Sequence, residues 1–268
     1  MSMHSVRVAA LAALVSACGL WAQEPQLTEE RMRDFLLNAK VAEHKQIGKG
    51  ITSPYRLTLS DGTITHDAGF QSVNESVARK EFRDGKVEVN FVDSYKYNIA
   101  AYELAKLLGL GDMMPVTVER KWDGKTGSLT WWLPVKMDEE KRLKEKIAPP
   151  DALGWNKQMF KMRVFAQLVY DTDRNLGNVL IGEDWKLYMI DFSRAFRLYD
   201  DLLSPQNLTN CDKNLLEQMR KLDVNEVTAK TKPFLRNPEI KALMKRRDKI
   251  VALFDKLIAE KGEAQVLY

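Results

Sequence analysis

The sequence is poor in the residues that build metal cages and covalent cross-links. Among its 268 residues there are two cysteines and three histidines. No Cys/His spacing typical of a zinc site occurs, and two cysteines exclude a disulfide framework as the source of stability. The chain must therefore be stabilised by packing, and 268 residues suffice for one large domain or for two lobes around a cleft.

The sequence also lacks an excess of one charge. Its 41 basic and 37 acidic residues leave a formal net charge of +4, which is too balanced for the electrostatic footprint of a nucleic-acid-binding protein. With 45% hydrophobic and 29% charged residues, the composition is that of an ordinary globular protein. We therefore expect a packed domain that has no nucleic-acid partner.

The apolar run nearest the N-terminus is short. Arg7 precedes an apolar run over residues 8–15, and Ser16-Ala17-Cys18 follows. A membrane-spanning helix needs about 20 apolar residues, so the pattern favours an export signal over residues 1–17. Small residues before Cys18 resemble a bacterial lipobox, which implies a periplasmic lipoprotein held at the membrane surface by a lipid on Cys18. Plain secretion and a cytosolic N-terminal helix are the alternatives.

After a polar spacer over residues 18–27, the chain reads as α+β. Thr28 and Ser94 can each cap an amphipathic helix, and Gly109 is placed to end the second one in a left-handed conformation. Alternating patterns bounded by turn residues predict a small antiparallel sheet of about five strands around that second helix. The extended segments behind this prediction are residues 55–59, 63–73, 116–120 and 128–133.

The second half of the sequence is mainly helical. A highly charged stretch over residues 137–147 and Pro149-Pro150 mark a change of character. Helical periodicity follows around Met159 and Phe165, and again over residues 214–222 and 238–263. The chain therefore predicts an N-terminal lobe over residues 28–136 and a C-terminal lobe over residues 137–268.

Polar residues that could take part in catalysis or metal binding follow the first helix of this second half. Asn178 comes five positions after Asp173, and two short apolar strands then predict a hairpin that ends at Asp191. The open end of that hairpin would bring Asn178 beside Asp191, and oxygen ligands of this kind suit Mg²⁺. Asp173 lies just before the hairpin, where its carboxylate can accept a proton from an attacking hydroxyl.

These residues have the order and spacing of the catalytic loop and Asp-Phe-Gly segment of protein kinases. The loop from Asp173 to Asn178 and the Ile-Asp-Phe at Asp191 resemble atypical members in particular, namely phosphoinositide kinases and HipA-type kinases. The resemblance implies a two-lobed protein-kinase-like fold that binds ATP and Mg²⁺. It also implies that Asp173 is the catalytic carboxylate and that Asn178 and Asp191 are the metal ligands.

The N-terminal lobe departs from that pattern. By the resemblance, the turn Gly48, Lys49 and Gly50 is the loop over the nucleotide, and Gln71 occupies the position of the phosphate-binding lysine. The glutamate partner of that lysine aligns with Asn98, so a neutral pair that can hydrogen-bond replaces the ion pair. We expect a substitute cation from Lys49 or Arg56. Glu103, just over one turn after Asn98, is an alternative partner for that cation. Asn175 replaces the usual histidine of the loop, and Ser193 replaces the glycine of Asp-Phe-Gly.

Three functions are consistent with this pattern. The first is an Mg²⁺- and ATP-dependent phosphotransferase that acts on a hydroxyl of an unknown protein or small-molecule acceptor. The second is a pseudokinase that serves as a nucleotide-binding or interaction module, which the pair of Gln71 and Asn98 favours. The third is an aminoglycoside-type phosphotransferase, although Thr172 stands where that class has a glycine before its aspartate.

Overall fold

The computed structural model describes residues 27–48, 54–82 and 84–268. The predicted α+β class is confirmed, with an antiparallel sheet in the N-terminal region and a mainly helical C-terminal region. The N-terminal region contains these elements: α1 (Glu29–Asn38), β1 (Lys40–Gln46), β2 (Tyr55–Ser60), β3 (Thr65–Gln71), β4 (Asn74–Glu81), β5 (Val87–Ser94), α2 (Tyr95–Leu107), β6 (Thr117–Trp122) and β7 (Lys125–Trp131).

Within the described residues, β1, β2, β3, β7 and β6 form one antiparallel sheet in that order. Helix α1 begins as predicted at Thr28, whose side chain accepts a hydrogen bond of 3.2 Å from the Arg31 amide. The helix buries Phe35 and Leu36 against the sheet, and the Phe35 ring packs edge-on against Trp131 at a centroid distance of 5.6 Å. The apolar stripe seen in the sequence therefore forms part of the core.

Helix α2 runs between the sheet and the rest of the molecule. The Ser94 hydroxyl accepts a hydrogen bond from the Lys96 amide, which confirms the predicted cap. The helix is followed by Gly109 with φ +70°, the left-handed conformation that glycine adopts without steric cost. The predicted start and end of this helix are therefore both correct.

One hairpin had no counterpart in the prediction. Strands β4 and β5 pair with each other between β3 and α2, and they make up a separate two-stranded sheet. Much of the hairpin is exposed, and charged residues such as Arg79 and Lys80 interrupt its hydrophobic alternation. Strand β4 has no continuous apolar face and gives little periodic signal, whereas β5 alternates Val87, Val89 and Phe91, a signal that was present in the sequence but was not assigned to a strand.

The C-terminal region carries the predicted hairpin and helices. Its main elements are β8 (Met137–Asp138), α3 (Glu139–Lys144), α4 (Ala152–Leu168), β9 (Val179–Ile181), β10 (Leu187–Met189), α5 (Lys213–Lys221), α6 (Val224–Thr231), α7 (Asn237–Lys261) and α8 (Glu263–Val266). Strands β10, β9 and β8 form a small antiparallel sheet. Helix α4 buries Met159, Met162 and Phe165 and leads directly into the loop that holds Asp173. Within the described residues, no helix is both long and apolar enough to cross a bilayer.

Candidate functional site

The loop after α4 is anchored by a buried ion pair. Asp171 is 3% exposed, and its carboxylate lies 2.5 Å from Nη2 of Arg174. The same carboxylate accepts a hydrogen bond of 3.0 Å from the Asp173 amide. Asp171 is thus committed to holding the loop, which leaves Asp173 as the aspartate of this loop that is available for chemistry.

Arg174 connects the separate parts of the site. Its Nη1 atom donates to the carbonyl oxygens of Asn178 at 2.9 Å and Ile190 at 2.8 Å, and its Nη2 atom donates to the carbonyl oxygen of Asp191 at 3.1 Å. The guanidinium also lies 4.1 Å from the ring centroid of Phe192. The sequence analysis missed this role. The available clue was an arginine beside two aspartates in a loop, whose charge requires a partner when it is buried.

The predicted hairpin brings Asn178 and Asp191 to one place. Strands β9 and β10 pair in register from Val179 opposite Met189, and the Ile190 amide donates to the Asn178 carbonyl oxygen at 3.1 Å. The side-chain amide nitrogen of Asn178 donates to the Asp173 carbonyl oxygen at 3.2 Å. Three residues from two segments therefore converge at the open end of the hairpin.

Asp191 has an unusual backbone conformation. Its φ of +54° lies in the left-handed region, which a residue with a side chain seldom occupies without reinforcement from its surroundings. The Arg174 contact to its carbonyl oxygen supplies part of that reinforcement. The Asp191 carboxylate accepts a hydrogen bond of 3.4 Å from the Ser193 amide. The Asp191 carboxylate thus lies on a turn whose backbone conformation is stabilised by Arg174 and by the Ser193 amide.

The N-terminal region contributes a neutral network to the same segment. The side-chain nitrogen of Asn98 donates to Oε1 of Gln71 at 2.6 Å and to Oγ of Ser128 at 3.3 Å, and its oxygen accepts from the Phe192 amide at 2.7 Å. The expected hydrogen bond between Gln71 and Asn98 is confirmed. The Asn98 side chain thus ties β3, β7 and α2 to the segment that follows Asp191 without any charged group.

The β4–β5 hairpin, which was not predicted, binds the residues that follow Ser193. Glu88 on β5 forms ion pairs with both Arg194 and Arg197, the latter at 2.6 Å. Arg197 also donates to the Val92 carbonyl oxygen at 2.7 Å. The Arg194 guanidinium lies 5.0 Å from the ring centroid of Phe91. Strand β5 is thereby held against the segment that begins at Asp191.

The remaining predicted residues have different outcomes. Lys49 and Gly50 of the glycine turn, together with Cys18 and the predicted signal peptide, lie outside the described residues. Gly48 follows the end of β1, and, its chain neighbours aside, no atom of the described residues lies within 4 Å of the position a Cβ would take. Glu103, suggested as the partner of a substitute cation, instead forms an ion pair with Arg33 at 3.0 Å.

Arg56, the other suggested cation, is also engaged. Its guanidinium pairs with the Asp67 carboxylate, which the Thr58 hydroxyl contacts at 2.6 Å. The hydrogen bond from Thr58 and the ion pair with Arg56 lower the pKa of Asp67. Arg56 also lies 4.5 Å from the ring centroid of Trp132. Its charge is therefore neutralised locally.

The oxygen donors of the site suit Mg²⁺ better than a transition metal. Among the described residues, no three Asp, Glu, His or Cys side chains cluster closely enough to hold an ion by themselves. Mg²⁺ is usually bound by one or two carboxylates together with substrate phosphates and water. The carboxylate of Asp191 and the amide of Asn178 therefore fit a metal that arrives with a nucleotide.

The fold is similar to that of several solved kinases. A hydra Fam20 structure with sugar superposes with a TM-score of 0.66 and 14% sequence identity, over 89% of this chain and 91% of that chain. A Golgi casein kinase gives 0.65 and 14%, over 89% and 78%. The Helicobacter pylori proinflammatory kinase CtkA gives 0.54 and 12%, over 84% and 98%.

Comparisons of the sequence itself return no relatives. No protein-family model matches this chain, and no curated protein matches it. At identities of 12 to 14% the structural likeness shows the fold and nothing finer. The chain therefore has an atypical protein-kinase-like fold, as the sequence resemblance implied.

Proposed function

We propose that this protein is an Mg²⁺- and ATP-dependent phosphotransferase that transfers a phosphoryl group to a hydroxyl of a protein or a small molecule. The observation that carries the proposal is the convergence of Asp173, Asn178 and Asp191: the Arg174 guanidinium binds the carbonyl oxygens of Asn178 and Asp191, and the Asn178 side chain binds the Asp173 carbonyl oxygen. A carboxylate for the nucleophile and two oxygen ligands for a metal are what phosphoryl transfer requires of a protein.

Each residue has a defined role in this proposal. Asp173 orients the acceptor hydroxyl and receives its proton, while Asn178 and Asp191 hold Mg²⁺. The bound metal ion would neutralise the phosphate charge that develops during transfer. Arg174 maintains the positions of the ligands through their carbonyl oxygens, so it is a positioning residue. Gln71 and Asn98 form the N-terminal wall of the site. They keep this wall in contact with the Asp191 segment but add no positive charge.

Transfer from labelled ATP tests the proposal. Purified protein is incubated with Mg²⁺ and [γ-³²P]ATP, with itself and a panel of hydroxyl-bearing acceptors as substrates. Asp173→Ala and Asp191→Ala should each abolish transfer. Asp255→Ala, which removes an exposed carboxylate of α7 that pairs with Arg220 on α5, should leave transfer unchanged. Transfer that survives either of the first two changes would rule out the assigned roles.

A nucleotide-binding module without turnover is the second candidate. The hydrogen bond of 2.6 Å between Asn98 and Gln71 favours it, because this wall offers a neutral amide where an ATP-using kinase offers a cation. Metal-dependent ATP binding without transfer to any acceptor would select this candidate. The absence of any nucleotide binding would eliminate both.

We further propose that the protein is exported and anchored at the periplasmic membrane surface by a lipid on Cys18. The support is the apolar run over residues 8–15 followed by Ser16-Ala17-Cys18. Cell fractionation with a labelled fatty acid tests this idea. Cys18→Ala should abolish labelling and release the protein from the membrane fraction, and label that persists in Cys18→Ala would contradict it.

A further inference from the structure

A buried carboxylate near the site has no role in the proposed reaction so far. Asp93 lies near the end of β5, immediately before Ser94, which caps α2. The residue is 9% exposed, and its Oδ1 atom is buried without a hydrogen-bond partner among the described residues. A buried acceptor without a partner is uncommon, because it loses its hydration and gains nothing in return.

Contacts with the turn after Asp191 place Asp93 beside the metal ligands. The Ser94 amide donates to the Ser193 carbonyl oxygen at 2.8 Å, which joins the end of β5 to that turn. The buried Ser193 side chain lies close enough to the Asp93 carboxylate to oppose the rise of its pKa. Ser193 replaces the glycine of the kinase pattern, so this departure supplies a contact that glycine cannot make.

Charges of both signs act on the buried Asp93 carboxyl. Burial raises its pKa and the negative charges of Asp191 and Glu75 add to that rise, whereas the Ser193 hydroxyl and the positive charge of Arg194 oppose it. Two carboxylates that repel each other are stabilised when a divalent cation lies between them. A metal ion between Asp93 and Asp191 would therefore remove this repulsion and give the unpartnered Oδ1 atom a ligand role.

We propose that Asp93 is a further oxygen ligand of the divalent metal held by Asp191 and Asn178, and that Ser193 orients its carboxylate. This inference rests on the metal site of the proposed function. It assigns the last residues of β5 to that site and gives a purpose to the ion pairs by which Glu88 holds β5 against the Asp191 segment.

Glu75 supplies a matched comparison. It lies directly opposite Asp93 in the β4–β5 ladder and carries the same charge. Its carboxylate is paired with Lys80 at 2.6 Å and is about one-third exposed, with a side-chain exposure of 38%. Removal of the Glu75 charge therefore changes the local field as removal of the Asp93 charge does, but it leaves the proposed ligand set intact.

Direct measurement of Mn²⁺ binding tests the inference. The full chain is titrated with Mn²⁺ alone, and free ion is measured by electron paramagnetic resonance for wild type, Asp93→Asn, Asp191→Asn and Glu75→Gln. Loss of a ligand or of its supporting contact weakens metal binding by about 10- to 100-fold. We expect a loss of about tenfold or more for Asp93→Asn, and a change of less than about twofold for Glu75→Gln.

The melting temperature of the metal-free protein separates a ligand from a merely structural group. Without metal, Asp93→Asn should melt at or above the wild-type temperature, because the substitution removes a buried charge beside Asp191. With Mn²⁺ it should gain less stability than the wild type does. A gain equal to that of the wild type, or Mn²⁺ affinity within twofold of it, would overturn the assignment.

The outcomes distinguish this inference from the proposed function. If Asp191→Asn weakens Mn²⁺ binding and Asp93→Asn does not, the inference fails and the metal site stands. If wild-type protein binds no Mn²⁺ alone, the inference fails, and the proposed function, in which the metal arrives with a nucleotide, is then decided by ATP binding with and without Mg²⁺. Should Asp93→Asn not fold, Ser193→Ala decides: weakened Mn²⁺ binding supports the inference, and unchanged binding refutes it.

Discussion

The two walls of the candidate site are built with different chemistry. On the C-terminal side, the Arg174 guanidinium pairs with buried Asp171 and binds the carbonyl oxygens of Asn178 and Asp191. On the N-terminal side, the neutral amides of Asn98 and Gln71 hydrogen-bond to each other. The two walls contact adjacent residues: Arg174 binds the carbonyl oxygen of Asp191, and Asn98 accepts a hydrogen bond from the amide of Phe192.

This difference separates positioning from charge. A neutral amide can hold the Phe192 backbone in place without a charge, since it both donates and accepts hydrogen bonds. It cannot neutralise the phosphates of a nucleotide. Both walls therefore position the site, whereas charge neutralisation falls to the metal side.

Removal of Arg174 should have the largest effect. Arg174→Ala leaves the Asp171 carboxylate buried without its partner, and breaking a buried ion pair in this way costs about 3–5 kcal/mol of the free energy of unfolding. Urea denaturation measures the loss. As a control, Arg220→Ala breaks exposed pairs with Glu217 and Asp255 and should cost less than about 1 kcal/mol. Equal losses for the two variants would show that Arg174 is not a special anchor.

A methyl group at Gly127 should disturb the neutral wall. A Cβ there would lie 2.5 Å from the Gln71 carbonyl oxygen and 2.8 Å from the Phe70 ring, so β3 and β7 would have to separate. Gly127→Ala should cost about 2–3 kcal/mol by thermal or urea unfolding. Gly48→Ala, where no described atom beyond the chain neighbours lies within 4 Å of the added methyl group, should cost less than about 1 kcal/mol. A loss below 1 kcal/mol at Gly127 would mean that the two strands tolerate separation.

Exchange of the neutral pair for an ion pair tests whether the wall is self-consistent. Gln71→Lys or Asn98→Glu alone puts a charge into a largely neutral network and should cost about 1–3 kcal/mol. The double variant should recover part of that loss, with a coupling energy of about 1 kcal/mol or more in urea denaturation. Purely additive losses would show that the two positions do not act as a pair.

Arg56 should matter least. Its pair with Asp67 is exposed, so Arg56→Gln should change the free energy of unfolding by less than about 1 kcal/mol. Because Asp67 already neutralises its charge, ATP affinity measured by calorimetry should change by less than about threefold. A tenfold loss of ATP affinity would instead identify Arg56 as the missing cation, and the N-terminal wall would no longer count as neutral.

Local signals in the sequence were sufficient for much of this structure. The caps at Thr28 and Ser94, the left-handed Gly109 and the hairpin before Asp191 all depend on residues close together in the chain, and each is confirmed. The convergence of Asn178 with Asp191 followed from the hairpin alone. Contacts decided by neighbouring residues are therefore readable from patterns.

Other features depend on contacts between distant segments. The β4–β5 hairpin is stabilised partly by the pairs of Glu88 with Arg194 and Arg197, which no local period records. The role of Arg174 became visible only when the Ile190 and Asp191 carbonyl oxygens were seen beside it. The approach of Asp93 to Ser193 is of the same kind. These residues have ordinary sequence contexts and gain their roles from tertiary structure.

Calorimetric titration of ATP with and without Mg²⁺, on wild type and Asp191→Ala, measures whether the metal supplies the positive charge of the site. We expect wild-type protein to bind ATP much more tightly with Mg²⁺ than without it, because the neutral wall at Gln71 and Asn98 provides no cation for the phosphates. Asp191→Ala should lose this dependence on Mg²⁺. ATP binding of equal strength with and without Mg²⁺ in the wild type would show that the metal side does not neutralise the phosphates.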